Sequence, residues 1–390
     1  FTAVPGDTRF LHAYVALPQP AQYVRLAVTS EKKTALRINE LFVLSEGDLP
    51  DWVQVWQPTE EKADILFLST HPDDELIFFG GAIPTYAVEQ QRKVVVAYFS
   101  RSNTTRSSEL LNGLWHMGVR TYPVIGNFKD SYAKSLKAAY KSAGGKDKVN
   151  EWIVGLYRQY KPEVVVTQDT NGEYGHKQHM MIAEAAQNCI ALAANEDEFT
   201  ASTIAYGTWQ VKKLYLHLYP ENQITFDWTV PLKSMNGATG IELAEEAYTL
   251  HKTQASSGMS VTETGTKYDN RVFGLAFTTV GEDVRKDDFL ENIYDAPGSY
   301  DAAANNVEAT PAPTEVPAYM AHMPALNAKG FLDEGEYIYS SEDEGLWIYV
   351  NQTSKVIIQR KYDATQPLTW FEADLYGDLD AGEMLRTVQN

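Results

Sequence analysis

Between residues 63 and 194 the chain repeats one rhythm: a short aliphatic run, a polar loop, then an amphipathic stretch. The aliphatic runs are Ile65–Ser69, Val94–Phe99, Val124–Gly126 and Val164–Thr167. The helical stretches are Leu76–Gln91, Arg106–Met117 (ending at Gly118), Val149–Tyr160 (stopped by Pro162) and His176–Ala194. Strands that read as continuous apolar runs are buried on both faces, and crossover helices supply that cover. The rhythm therefore predicts an α/β fold, a Rossmann-like and mostly parallel sheet with helices on both faces. A strand-forming pair, Leu214–Leu218 and Ile224–Trp228, should follow, then a helix over Ile241–Thr253 and a last strand over Phe273–Phe277.

In such a sheet, ligands bind beyond the carboxyl ends of the strands. The first strand runs directly into His71-Pro72-Asp73-Asp74-Glu75. Pro72 fixes its own φ and drives His71 towards an extended conformation. Asp73 or Asp74 can cap the helix that starts near Glu75. His71 and Asp74, three residues apart, can close on one metal ion, leaving the acid between them as a base. The blander alternative is an acidic N-cap beside a surface histidine. The strand Val164–Thr167 likewise ends in a glycine-rich polar loop that opens a helix, Gly172-Glu173-Tyr174-Gly175-His176-Lys177-Gln178-His179. His176 and His179 share one helix face. A helix N-terminus disfavours cationic histidine, so both should be neutral, as metal ligands or with one poised as a proton donor.

The 390 residues imply two or three domains. Residues 1–60 form an N-terminal β segment, with alternation over Tyr23–Val28 and Leu36–Leu44 resembling the end of a galactose-binding-like module. Residues 61–295 are the α/β domain. Residues 296–319, rich in Pro and Ala, read as a linker. Residues 320–390 read as a small C-terminal β module with four short strands, whose aromatics are core or sugar-stacking groups. The net charge of -19 argues against nucleic-acid partners and anionic membrane surfaces, and no apolar stretch is long enough to span a membrane. The single Cys189 excludes an intrachain disulfide. The chain begins at Phe1 rather than Met, so we read it as a trimmed or mature fragment, with a removed signal left open.

The pairing of His71-Pro72-Asp73-Asp74-Glu75 with Gly175-His176-Lys177-Gln178-His179 resembles the PIG-L / LmbE-like N-acetylglucosaminyl deacetylase family. Arg106-Ser107-Ser108-Glu109-Leu110, Asp130, His251-Lys252-Thr253-Gln254 and Phe273–Asp288 extend the likeness across roughly residues 61–293. The resemblance implies one divalent metal, usually zinc, held by His71, Asp74 and His179; the same ligands also suit iron. It implies Asp73 as general base, and His176 as oxyanion stabiliser or proton donor to the leaving amine. Tyr174 would assist, and Arg106, Asp130 and His251 would contact substrate. Alternatives exist for two of these: a helix-start salt bridge of Arg106 with Glu109, and a structural helix histidine at position 251. Glu75 reads as a supporting acid, and His12, His116, His217 and His322 as structural. Family members often carry Pro-Asp where this chain has Lys177-Gln178.

The implied activity is removal of the N-acetyl group from an N-acetylhexosamine unit in a sugar, glycoconjugate or glycan polymer, with a carbohydrate as partner. A zinc amidase acting on a non-sugar N-acyl compound and a catalytically silent carbohydrate-binding protein are the alternatives. The flanking β segments and acidic surface suggest a secreted or cell-surface bacterial protein, with a cytoplasmic placement open.

Overall fold

In the computed structural model, residues 52–293 are described except for 101–102, 255–256 and 262–266, together with short stretches between 13 and 50 and four strands between 335 and 374. The chain divides into two compact units, 1–302 and 303–390. The division falls inside the segment expected as a linker, all of which lies outside the described residues together with His12 and His322.

The first unit is built on a seven-stranded sheet. Its strands are β1 (Ile65–Ser69), β2 (Val94–Ser100), β3 (Val124–Phe128), β4 (Val164–Thr167), β5 (Lys213–His217), β6 (Gln223–Thr225) and β7 (Val272–Thr278), in the order β3-β2-β1-β4-β5-β7-β6. β3 to β5 run parallel across β2, β1 and β4, while β7 is antiparallel to both β5 and β6. The mostly parallel α/β fold is as expected. The 213–228 region differs in detail: its two strands do not pair with each other, because β7 lies between them. Chain order reverses at β1, whose neighbours are β2 and β4. That is a topological switch point, where a crevice opens at the strand ends.

The helices are α1 (Asp74–Ile77), α2 (Ala82–Pro84), α3 (Thr104–His116), α4 (Leu136–Ser142), α5 (Lys146–Tyr160), α6 (Lys177–Ala194), α7 (Thr200–Tyr206) and α8 (Gly240–Tyr248). Alternate side chains of β1 enter opposite cores. Ile65 and Phe67 join Leu110 and Leu114 of α3 and Ala244 of α8, whereas Leu66 and Leu68 join Val154 of α5 and Ile182 of α6. Asn103 caps α3 and Thr239 with Glu242 forms a capping box on α8. The single helix expected over Leu76–Gln91 is broken into α1, α2 and a five-residue π turn over Thr85–Glu89. The break falls at Gly80 and Gly81. A Cβ on Gly81 would lie 2.5 Å from the Trp228 Cβ, so close packing against the α8 start fixes glycine there.

Among the described residues between 13 and 50 no strand forms, and Tyr23–Leu26 and Leu41–Leu44 are exposed. Alternation makes a strand only where a partner ladder is available, and none is present there among the described residues. Residues 52–60 do join the domain, through the parallel bridge of Gln57 with Thr121 and the stacking of Trp56 on Tyr122.

The second unit contains a four-stranded antiparallel sheet, β8 (Gly335–Ser341), β9 (Leu346–Asn351), β10 (Lys355–Arg360) and β11 (Thr369–Asp374), in the order β11-β10-β9-β8. These strands lie where the apolar alternation places them; the aromatic side chains they carry lie outside the described residues.

Candidate metal centre

β1 and β4 pair in parallel, with Ile65 opposite Val164, so the loops after them leave the sheet side by side. The Thr70 hydroxyl bonds Gln168, fastening the two strand ends together. This adjacency is what brings the two histidine motifs into one place.

Asp74 opens α1, and its Oδ2 accepts from the His71 backbone N–H at 2.7 Å. The same oxygen lies 3.2 Å from His71 Nδ1 and 3.2 Å from His179 Nε2, and the two ring nitrogens are 3.1 Å apart. The partners on the far side of each ring decide where the protons sit. His71 Nε2 faces Gln178 Oε1 at 3.1 Å, an oxygen that only accepts, so this nitrogen carries hydrogen and Nδ1 carries a lone pair. His179 Nδ1 faces Glu173 Oε2 at 3.0 Å, so in the neutral ring that an ion requires the lone pair is on Nε2. Two nitrogen lone pairs and a carboxylate oxygen thus point at one another. Tetrahedral zinc with bonds of about 2.0–2.1 Å has donor–donor separations of about 3.3 Å. The observed triangle fits a divalent ion without rearrangement. His71, His176 and His179 also form a metal-capable group, with donor atoms within 4.8 Å of one another. That set is looser than the one containing Asp74, and His176 has other work.

His176 is the N-cap of α6, and its Nδ1 accepts from the Gln178 N–H at 3.3 Å. This bond places the ring hydrogen on Nε2. Burial, together with the neighbouring His179 and His71, lowers its pKa to about 3. His176 is therefore a neutral N–H donor at pH 7. Burial outweighs all else at Asp73: with adjacent Asp74 it raises the carboxyl to about 7, against the pull of Arg106. Arg106 Nη2 lies 3.0 Å from Asp73 Oδ1 and Nη1 lies 3.5 Å from Asp130 Oδ2. Asp130 also reaches His71 Nε2, at 3.5 Å. Burial opposes charge on His179, yet Asp74 and Glu173 raise its pKa to about 10. Asp74 keeps its carboxyl well below the ordinary range, because the two histidines outweigh the burial penalty.

His71, Asp73, Asp74, Arg106, Asp130, Tyr174 and His176 line one pocket of about 130 Å³, whose apolar wall is Ile77, Phe78 and Met259. The 42%-exposed Tyr174 holds its ring 5.8 Å from that of His176. His179 is fully buried and is not among the lining residues. His251, expected to contact substrate, is not among the lining residues. It is buried behind Glu75, its Nε2 3.9 Å from Glu75 Oε1, with neither ring nitrogen hydrogen-bonded. The helix expected to carry it ends at Tyr248, and His251 lies in the following turn. Glu109 bonds Thr253 rather than pairing with Arg106.

Two residues escaped the sequence reading. Glu173 holds His179 with one carboxylate oxygen and faces His217 Nδ1 with the other, at 3.3 Å; His217 Nε2 in turn lies 3.0 Å from the Asp269 carbonyl. His217, read as structural, closes this buried row because it ends β5, the neighbour of β4. Positive φ at Gly172 (71°) and Gly175 (90°) folds the intervening loop back on itself and aims Glu173 inward. Lys177-Gln178 is also more than a spacer. The Gln178 side chain accepts from Ser131 N and donates to Lys129 O, both at 2.9 Å, holding the loop that presents Asp130.

An α/β domain with a three-donor cluster able to hold a metal ion at its switch point is what the geometry defines. Residues 66–190, from within β1 to within α6, match the family model PIG-L: GlcNAc-PI de-N-acetylase, and the resemblance carried by the two histidine motifs is thereby shown. The 1D-myo-inositol 2-acetamido-2-deoxy-alpha-D-glucopyranoside deacetylase 1 of Frankia casuarinae is 28% identical over 180 residues, 39% of this chain and 57% of that protein. Its namesake from Catenulispora acidiphila is 25% identical over 240 residues, 54% of this chain and 73% of that protein. The chain thus spans little more than half the length of the first relative. Among solved structures, the N,N'-diacetylchitobiose deacetylase of Pyrococcus horikoshii aligns with 49% of this chain and 71% of its own, at 17% identity and a TM-score of 0.38.

Proposed function

We propose that this protein is a metal-dependent N-deacetylase that hydrolyses the N-acetyl group of an N-acetylhexosamine unit, releasing acetate and the free amine. The observation that carries the proposal is the triangle of lone pairs on His71 Nδ1, Asp74 Oδ2 and His179 Nε2, with Asp73 beside it. A divalent ion held there, zinc by the family resemblance, would supply Lewis acidity to the amide carbonyl and acidify a water.

Asp73 is the base. Burial and adjacent Asp74 raise its carboxyl above the ordinary range before any ion is bound, which favours its taking a proton from the attacking water. The water oxygen bonds the carbonyl carbon, and the carbonyl oxygen takes the developing negative charge. His176 Nε2–H and the Tyr174 hydroxyl donate towards that oxygen. Burial, with Asp74 and Asp73 nearby, raises the Tyr174 pKa, so the phenol keeps its proton. As the C–N bond breaks, the proton held by Asp73 passes to the leaving nitrogen. A pocket of about 130 Å³ takes the acetamido group and part of one sugar ring. Its polar wall of Arg106 and Asp130 faces the ring, and its apolar wall of Ile77, Phe78 and Met259 faces the acetyl methyl.

The relatives named as deacetylases of an acetamido sugar support this reading, and the acidic surface suits an uncharged carbohydrate substrate. The test is acetate release from a panel of N-acetylated sugars and glycans, by the protein as isolated, after chelation and after zinc is restored. Release that chelation stops and zinc restores is the expected result. Absence of release from every sugar, with zinc bound, would overturn the sugar reading.

A further inference from the structure

The turn that presents the two acids is not relaxed. Asp73 has φ 115° and ψ −28°, a left-handed region that side chains with a Cβ rarely enter. Glycine would be the ordinary residue at such a position. The Asp73 side chain does not stabilise the turn by capping α1, since no such bond forms.

Two buried side chains, Arg106 and Glu75, hold the peptide unit that enters this turn. The Pro72 carbonyl accepts from Arg106 Nη2, and the Asp73 N–H donates to Glu75 Oε2 at 2.8 Å. One peptide plane is thus gripped at its oxygen by a guanidinium and at its nitrogen by the Glu75 carboxyl oxygen. Glu75 is fully buried and absent from the pocket lining, so it touches neither the pocket contents nor the metal triangle. Its position is itself maintained from behind. His251 stands 3.9 Å away, in space that Gly113 leaves open: a Cβ on Gly113 would lie 3.1 Å from His251 Nε2.

We propose that Glu75 is a positioning residue: with Arg106 it clamps the Pro72–Asp73 peptide in a left-handed turn and thereby aims the Asp73 carboxylate into the pocket. This rests on the deacetylase reading only for its kinetic consequences. The metal donors lie outside the clamped peptide, so the clamp governs the base and not the ion. A base displaced by a fraction of an ångström to an ångström loses turnover by about 10- to 100-fold.

The experiment compares wild type with Glu75→Gln, Glu75→Met and Glu75→Ala, by zinc content, thermal midpoint, kcat and KM for acetate release, and crystal structure. Glu75→Gln keeps an acceptor oxygen and is expected to restore most of the turnover. Glu75→Met and Glu75→Ala are expected to lower kcat by about 10- to 100-fold with little change in KM or zinc content, and Asp73 should relax to negative φ. Unchanged kcat in the Met and Ala variants would overturn the proposal. So would an Asp73 φ that stays near 115°, or losses that only track lost zinc or a failure of both variants to fold. A wild-type protein inactive on every N-acetyl sugar would sink the deacetylase reading alone, and the crystal structures would still decide the clamp.

Discussion

His71 Nδ1 and His179 Nε2 stand 3.1 Å apart although they lie 108 positions apart in the chain, and when both rings are neutral their outer partners put the two lone pairs face to face. Parallel pairing of β1 with β4 creates this meeting, and Asp74 completes it. Two lone pairs held face to face repel unless a cation or a proton lies between them. The arrangement is therefore built around a positive charge. Asp73 lies next to that charge in sequence and points instead to Arg106, free of the triangle.

Separation of these roles gives a sharp mechanistic expectation. Asp73→Asn leaves His71, Asp74 and His179 intact, so zinc content should match wild type. Turnover should fall by about two to four orders of magnitude, the range for losing a general base. Parallel measurement of bound zinc and acetate release checks both halves. Wild-type turnover in the variant would remove Asp73 from the base role, and loss of zinc would place Asp73 among the ligands.

Glu173 should act on the ion through His179. A carboxylate on the far nitrogen fixes tautomer and orientation and strengthens the ring as a donor, and losing such a partner typically costs about 10- to 100-fold in metal affinity or activity. Glu173→Gln retains the shape but not the charge, and Glu173→Ala removes both. Competition with a fluorescent zinc chelator should show weakening in the order wild type, Gln, Ala. Equal affinities would mean that His179 is oriented by helix packing alone.

The donors of the candidate centre were legible because a strand end, a Pro-fixed turn and a helix start are local signals. The carboxyl-side crevice was legible for the same reason. What was not legible depends on which strands are neighbours. Glu173 lay in the quoted loop, yet only the fold-back at Gly172 and Gly175 turns it towards His179. His217 had no visible partner because nothing local says that β5 borders β4. The Gln178 amide looked like a lost carboxylate; its role follows from the loop over residues 129–131, which approaches only in three dimensions. His251 had helical neighbours in sequence, but α8 stops at Tyr248, and the residue turns inward behind Glu75. The alternation over Tyr23–Val28 and Leu36–Leu44 shows the opposite failure: a period of two was present, but the described part of each run has no partner strand.

Arg158 makes a prediction for stability. It is fully buried on α5, and its guanidinium donates to the carbonyls of Leu192, Ala193, Asn195, Glu198 and Phe199 and to the Ser202 hydroxyl. A single cation thus ties the last carbonyls of α6, which have no intrahelical donor, to the start of α7. Arg158→Met fills the volume but removes all of these bonds at once, although Ala193, Asn195 and Phe199 keep backbone donors. We expect a loss of about 2–3 kcal/mol, the upper range for hydrogen bonds to a charged group. Denaturant unfolding of the zinc-loaded proteins checks it, and a loss under about 1 kcal/mol, the size of a single ordinary hydrogen bond, would show that water replaces the guanidinium.

The pH dependence of metal stabilisation tests the centre as a whole. Without metal, the His179 pKa is raised to about 10 from an ordinary 6.5, as Asp74 and Glu173 overcome burial. A raised histidine pKa contributes stability that is fully present below pH 6.5 and is lost as pH rises through 10. Over that window the folded, chelated protein holds a proton on His179 that the unfolded chain has released. An ion that binds His179 Nε2 must displace that proton, so raising the pH removes its competitor. Zinc affinity should therefore rise by roughly tenfold per pH unit for each proton displaced. The thermal midpoint of the zinc-loaded protein should pull further ahead of the chelated protein between pH 6.5 and 8.5. Titration calorimetry in buffers of different ionisation enthalpy should also report proton release on binding. A gap between the two midpoints that stays constant or narrows with rising pH, with no proton released, would mean that His179 is not a ligand.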